Sequence, residues 1–121
     1  MRINEMESIN TAAGLGNPEK KVEDSIREML AQRNWFVIKT HGNAYQSGIP
    51  DLFATHKVYG QRWIEVKLPE MMGSKFTNAQ FNVFPDLVSN GAGIWVLTSA
   101  TDLEYDKLFK ACNLSAYMRP K

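Results

Sequence analysis

Residues 47–53 read Ser-Gly-Ile-Pro-Asp-Leu-Phe and residues 63–68 read Trp-Ile-Glu-Val-Lys-Leu, and these two stretches decide the fold. The second is typical of a β-strand, in which alternate side chains point to opposite faces of the sheet. Glu65 and Lys67 therefore lie on one face of this strand, next to Trp63. Because an unpaired buried charge is costly, the two charged groups must pair with each other or meet a ligand.

The first stretch places a carboxylate at the end of another strand. Proline cannot donate a hydrogen bond to a sheet, so Pro50 suits the first residue or a distorted end of a strand, and Gly48 lets the backbone bend before it. Asp51 and Glu65 then offer the pair of carboxylates through which Mg²⁺ binds, together with waters and substrate phosphates. Since Lys67 could orient a water or neutralise a phosphate, the pattern predicts a metal-dependent nuclease site.

The same residues resemble a known family. Pro-Asp at 50–51 followed by Glu-Val-Lys at 65–67 resembles the core of the PD-(D/E)XK nucleases. With residues 48–52, 64–67 and 77–80, the chain is similar to the VRR-Nuc (virus-type replication-repair nuclease) branch over roughly residues 20 to 98. The resemblance implies a three-layer α/β fold of order αβββαβ, with a small mixed sheet flanked by helices. It also implies cleavage of DNA with Mg²⁺ or Mn²⁺, and stand-alone phage-type members are linked to branched DNA such as Holliday junctions.

The resemblance assigns roles to single residues of this chain. Asp51, Glu65 and the main-chain carbonyl of Val66 would bind the metal. Lys67 would be the catalytic amine. The amide of Gln80 would reach into the site from a later helix, and Glu23 would be the acidic residue of the first helix. For Glu23 the alternative is a solvated carboxylate that pairs with Arg27, four residues further along the helix.

Composition limits the class of protein. The chain has 121 residues, 44% of them hydrophobic and 22% charged, which is the composition of one globular domain. Its net charge of +1 is not that of a general nucleic-acid coat, so a DNA-binding surface would have to be local. A single cysteine, Cys112, and the lack of a signal peptide or membrane span predict the reducing cytoplasm of a bacterial or phage-infected host cell.

In the first half of the chain, a helix-capping residue and a run of β-branched and aromatic residues predict a helix and a strand. Residues 1–16 are expected to form a flexible arm, or to order against a partner subunit, and residues 17–121 to form the nuclease domain. Asn17 caps a first helix, and residues 35–40 are a strand. The loop 41–48 is either a simple connector or a DNA contact, and the candidates for binding nucleic acid are Lys39, His41, Tyr45 and, in a later loop, Lys75.

The second half continues with a predicted antiparallel hairpin of strands 51–56 and 61–68. In the helix that begins after Thr77, Gln80 has two possible roles, since Thr with Gln three residues later is also a capping box. The motif at 85–86 repeats Pro-Asp, but it falls opposite the apolar stripe of this helix and should only kink it. The helix ends at residues 90–91.

The last strand and the last helix complete the predicted fold. Residues 94–98 should form a buried strand parallel to an earlier one. Thr101 should cap one last helix with an apolar stripe of Tyr105, Leu108, Phe109 and Cys112.

One metal site cuts one DNA strand, so a homodimer is expected, with an interface drawn from the arm 1–16, Met71, Met72, Tyr105, Phe109 and Tyr117.

Two other functions remain open at this point. One is a nucleic-acid-binding module of the same fold that has lost catalysis. The other is a structural or interaction domain in which Asp51, Glu65 and Lys67 form a buried ion network without a metal.

Overall fold

A computed structural model describes residues 17–40, 47–71 and 75–118. The elements in chain order are α1 (Pro18–Gln32), β1 (Phe36–Lys39), β2 (Leu52–His56), β3 (Gly60–Val66), α2 (Asn78–Ser89), β4 (Ile94–Leu97), α3 (Asp102–Asp106) and α4 (Leu114–Tyr117). A turn with positive φ at Glu70 and Met71 occurs at Pro69–Met71, and a short 3₁₀ turn occurs at Lys107–Phe109. The strands form one sheet in the order β1-β2-β3-β4, antiparallel except for the parallel pair β3 and β4. The predicted order αβββαβ and the mixed sheet are confirmed.

The first helix begins and ends as its sequence requires. The side chain of Asn17 accepts a hydrogen bond from the Lys20 N–H at 3.2 Å, and the helix starts at Pro18. At the other end Asn34 takes a positive φ of 71°, and the Trp35 N–H donates to the Leu30 carbonyl at 3.0 Å. These are the features of a Schellman motif, which satisfies the last carbonyls of the helix and turns the chain into β1.

Helices cover both faces of the sheet. Against one face, α1 packs Ile26, Met29 and Leu30, and the sheet residues that meet them are Leu52, Ala54, Ile64, Val66 and Leu97. On the other face, α2 packs Phe84 against Ile94 and Val96 of β4. Each fully buried aliphatic or aromatic side chain contributes about 1.5–3 kcal/mol. The alternation in β3 sends Ile64 and Val66 to α1, which leaves Glu65 and Lys67 on the α2 side.

The predicted hairpin is present with shifted ends. Leu52 pairs with Ile64 and His56 pairs with Gly60, whose φ of 90° allows the turn. The second strand ends at Val66 rather than residue 68, because the chain leaves the sheet ahead of the turn at Pro69. The second helix runs from 78 to 89 with Pro85 inside it, exposed as predicted, and ends at the cap Asn90.

The prediction of one long last helix is wrong. The chain forms α3, then a 3₁₀ turn, and becomes extended at Lys110. The reason lies in the sheet: Asn113 accepts a hydrogen bond from the Val96 N–H at 2.7 Å and donates one to the Val96 carbonyl at 3.1 Å. A continuous helix could not bring Asn113 to the edge of β4. Of the predicted stripe, Leu108 is buried, whereas Phe109 is exposed.

No helix within the described ranges is long and apolar enough to cross a membrane. The predicted arm at 1–16 and the last residues, 119–121, lie outside the residues that the structure describes.

Candidate active site

The two carboxylates of the predicted site meet where β2 begins and β3 ends. The main-chain N–H of Asp51 donates to Glu65 Oε1 at 3.2 Å, and the main-chain N–H of Val66 donates to Asp51 Oδ2 at 2.8 Å. Each carboxylate therefore binds the backbone of the opposite strand. This reciprocal arrangement follows from the register, since Leu52 pairs with Ile64 and places residue 51 opposite residue 65.

The chain before Asp51 is fixed from two sides. Thr40 donates its side-chain hydroxyl to the Pro50 carbonyl, and the Thr40 N–H donates to the Asp51 carbonyl at 2.9 Å. Gly48 has a φ of 83°, and a Cβ there would lie 2.7 Å from the Ala79 carbonyl oxygen of α2. Only glycine allows so close an approach with this backbone conformation. The predicted bend at Gly48 is thus present, and it presses the loop against α2.

Lys67 is buried next to Glu65. Its side chain is 3% exposed, and its Nζ lies 3.2 Å from Glu65 Oε2. The ammonium also donates to the main-chain carbonyl of Lys75 at 2.7 Å and lies 4.4 Å from the centre of the Phe76 ring. Strand alternation predicts that Glu65 and Lys67 lie side by side, whereas no pattern in the sequence predicts the contacts of Lys67 with residues 75 and 76.

Gln80 forms the capping box and also contacts Glu65. Its N–H donates to Thr77 Oγ1 at 3.1 Å, and its side-chain Oε1 accepts from the Thr77 N–H at 3.0 Å, which completes the capping box. The remaining side-chain nitrogen, Nε2, donates to Glu65 Oε2 at 2.9 Å. The capping box and the contact with Glu65 are compatible, because an amide has an acceptor and a donor that can serve different partners.

The environment of Glu65 favours its neutral form. Its side chain is almost completely buried. Burial and then the negative charge of Asp51 raise the pKa of the Glu65 carboxyl from 4.5 to about 8, although the Lys67 charge and the hydrogen bonds from Lys67 and Gln80 oppose this rise. A cation bound between the two carboxylates would remove their repulsion, which makes the pair suited to a metal ion.

Glu23 is buried, so the alternative of a solvated helix carboxylate is wrong. Its Oε2 lies 3.4 Å from the ammonium of Lys39, while Arg27 has Asp24 as its acidic neighbour at 3.7 Å. Within the described ranges, no three His, Cys, Asp or Glu side chains form a group that could hold a metal. The structure therefore brings Glu23 to Lys39 and does not group it with Asp51 and Glu65 as a third acidic ligand.

The remaining predicted residues are divided between the surface and the part of the chain that is not described. Lys75 is exposed, and only its main-chain carbonyl contacts the site. Lys39 is half-buried beside Glu23. His41 and Tyr45 lie outside the described residues, and so does Met72 of the predicted interface.

Sequence reasoning missed two residues that shape the site. Thr40 fixes the strand that carries Asp51, and Phe76 covers the ammonium of Lys67. The position of Phe76, directly before the cap residue Thr77, is the one signal that could have suggested a fixed side chain here, since an apolar residue before a helix cap often packs back onto the first turn.

Comparison with known proteins supports the fold. No family model and no curated protein matches the chain. A solved structure described as "VRR_NUC domain" superposes with a TM-score of 0.62 at 24% sequence identity, covering 78% of this chain and 96% of the other. Nearly all of that domain is thus matched by the elements described above. The chain therefore has the fold of a VRR_NUC domain.

Proposed function

We propose that the protein is a metal-dependent endonuclease that hydrolyses phosphodiester bonds in DNA. The observation that carries this proposal is the meeting of Asp51, Glu65 and Lys67 at one end of the sheet, with the Glu65 carboxyl buried beside a second carboxylate and 3.2 Å from an ammonium. A carboxyl whose pKa is raised by burial and by a neighbouring carboxylate, as for Glu65, is common at catalytic sites. The fold shared with a VRR_NUC domain supports the same function.

The donors at this site fit a hard cation. Asp51 and Glu65 offer carboxylate oxygens, and Mg²⁺ binds to proteins through one or two carboxylates, with waters and substrate phosphates as its other ligands. The Val66 N–H points to Asp51. Since the N–H and C=O of one residue in a strand point to the same side, the Val66 carbonyl is directed to that side too and is the third proposed ligand. Mg²⁺ or Mn²⁺ bound here would polarise the phosphoryl group and acidify a water.

The other residues of the site have supporting roles in this proposal. The Lys67 ammonium would neutralise the charge that develops on the phosphate, or orient the attacking water. Gln80 would fix the Glu65 carboxylate through the 2.9 Å hydrogen bond. Glu23 would hold Lys39 near the end of β1, where that amine and Lys75 could contact the DNA backbone together with His41 and Tyr45, which follow β1 in the chain.

Symmetric resolution of a branched DNA such as a Holliday junction requires two sites. We propose a C₂ homodimer for this purpose, because symmetric cleavage of two strands needs two sites related by a two-fold axis. Four residues of the interface suggested by the sequence are described: Phe109 is exposed, and Met71, Tyr105 and Tyr117 are half-buried. Light scattering at micromolar concentration, with and without four-way-junction DNA, tests this: a monomer in both states would contradict the dimer.

The nuclease proposal itself is tested on a panel of substrates. The purified protein is incubated with linear, flapped and four-way-junction DNA in Mg²⁺, in Mn²⁺ and in EDTA. We expect cleavage only with metal, and loss of cleavage in Asp51→Asn and Glu65→Gln. Binding of Mn²⁺, measured from the relaxation of water protons, should weaken in the same variants. Equal cleavage by Asp51→Asn and the wild type would refute the proposed site.

One observation favours the alternative of a structural domain. Both oxygens of Glu65 already accept hydrogen bonds, Oε1 from the Asp51 N–H and Oε2 from Lys67 and Gln80. A buried ion network without metal would have the same contacts. The two functions differ in the Mn²⁺ experiment, because the structural domain should bind no metal and cleave no DNA.

A further inference from the structure

The amine of Lys67 needs more than its own side chain to stay in place. A lysine side chain has four carbons with free rotation, and its ammonium has three N–H donors. The main chain at Lys67 is fixed, because its N–H donates to the Leu97 carbonyl at 3.1 Å. The ammonium at the far end of the side chain must be fixed by other groups.

Two oxygens and one ring surround this ammonium among the described residues. Glu65 Oε2 lies at 3.2 Å, the Lys75 carbonyl oxygen at 2.7 Å, and the centre of the Phe76 ring at 4.4 Å. The face of an aromatic ring attracts a cation, and the attraction is stronger where water is excluded. Since Lys67 is buried, the ring replaces the water that would solvate this side of the charge.

The Phe76 ring is itself held by the core beneath α2. It makes edge contacts with Phe81 and Phe84, both with centroid distances of 6.1 Å. Phe84 is completely buried. The capping box begins at the next residue, Thr77, and fixes the backbone at this point. The ring therefore has a fixed place relative to the sheet, and it can hold the ammonium at a fixed place too.

We propose that Lys75 and Phe76 are positioning residues of the site: the carbonyl of the first and the ring of the second hold the Lys67 ammonium on the Glu65 carboxylate. Together with Gln80, these two residues form one short segment, 75–80, that supports the side chains of both Glu65 and Lys67. The positioning of the ammonium follows from these contacts alone, whereas its effect on turnover rests on the proposed nuclease function.

Cleavage kinetics test the catalytic consequence. Phe76→Leu keeps an apolar side chain and removes the ring, so kcat should fall roughly 10- to 100-fold, as is common when a reacting group is misplaced, while KM for DNA stays unchanged. Phe76→Tyr keeps the ring and should restore kcat. Leu87→Ala, which removes apolar volume from the same cluster beneath α2, is the control and should keep wild-type kcat. Equal losses in Phe76→Leu and Leu87→Ala would mean that the ring only packs the core.

A second measurement tests the positioning without any cleavage. In protein labelled with ¹³C at the lysine ε-carbon, a ring this close should shift the ε-methylene protons of Lys67, assigned with Lys67→Arg. The shift should be present in the wild type, Phe76→Tyr and Leu87→Ala, and absent in Phe76→Leu. An unshifted Lys67 signal in the wild type would overturn the inference, even if Phe76→Leu does not fold. If the wild type shows the shift but cleaves no DNA with any metal, the nuclease proposal fails and the positioning stands.

Discussion

Replacing Glu65 by glutamine should make the stability of the metal-free protein much less dependent on pH. In the wild type, burial and the charge of Asp51 raise the pKa of the Glu65 carboxyl from 4.5 to about 8. The folded state therefore holds the proton of Glu65 more tightly than the unfolded state does. A group with a raised pKa contributes its full stability below the unfolded pKa, and this contribution is lost as the pH rises through the folded pKa.

The size of the effect follows from this difference. Each pKa unit between the folded and unfolded states is worth about 1.4 kcal/mol, so the free energy of unfolding should fall by about 3 kcal/mol between pH 5 and pH 8. For a domain of this size, that corresponds to a fall in Tm of roughly 10 °C. Glutamine has the shape of the neutral carboxyl and does not ionise, so Glu65→Gln should lack this part of the slope.

Thermal unfolding in EDTA, measured at several pH values between 5 and 8, provides the assay. Glu28→Gln removes an exposed carboxyl of α1 and should keep the wild-type slope. Addition of Mg²⁺ or Mn²⁺ at pH 8 should raise the Tm of the wild type, because a ligand that binds the folded state stabilises it, and should not raise that of Glu65→Gln. If the wild type and Glu65→Gln show the same slope in EDTA, the reasoning about the buried carboxyl is wrong.

Three further predictions concern single residues. Lys67→Ala should reduce metal-dependent cleavage by at least about 100-fold, since it removes a charge from a water-excluded site, and unchanged kinetics would contradict the proposed role. Gln80→Ala should lower both stability, by about 0.5–2 kcal/mol, and cleavage, because its side chain serves the cap and Glu65 together. Thr77→Ala, compared by the same melting and cleavage assays, should lose the stability of the cap and keep most of the cleavage. Ile26→Ala should cost about 2–5 kcal/mol in denaturant unfolding, since it empties a completely buried position under the sheet; a cost below 1 kcal/mol would contradict that packing.

The order of elements and the centre of the site could be predicted because both depend on local patterns. Strand alternation placed Glu65 and Lys67 on one face, and the proline before Asp51 marked the start of a strand; both statements need only neighbouring residues. The resemblance added Gln80, whose contact with Glu65 at 2.9 Å the structure contains. Their roles as metal ligands and catalytic groups remain predictions.

What the sequence could not supply depends on residues far apart in the chain. The last helix breaks because Asn113 binds the backbone of Val96, and the helical spacing of apolar residues does not predict this contact. Glu23 is buried because Lys39 of β1 lies beside it. Phe76, directly before the cap of α2, lies 4.4 Å from the Lys67 ammonium only because the chain folds back to the sheet at this point. In each case tertiary packing decides, and local propensity is too weak a guide.

The side-chain amide of Asn113 has a consequence for solubility. An edge strand offers unpaired N–H and C=O groups to which the strand of another molecule can add, and this addition is a route to aggregation. β4 is an edge strand, and Asn113 occupies both the N–H and the C=O of Val96. A foreign strand is thus refused in the middle of this edge, and the opposite edge of the sheet, among the described residues, is β1, where Phe36 and Ile38 are 64% and 45% exposed. Asn113 therefore protects the β4 side of the sheet from edge-to-edge pairing between copies of the chain.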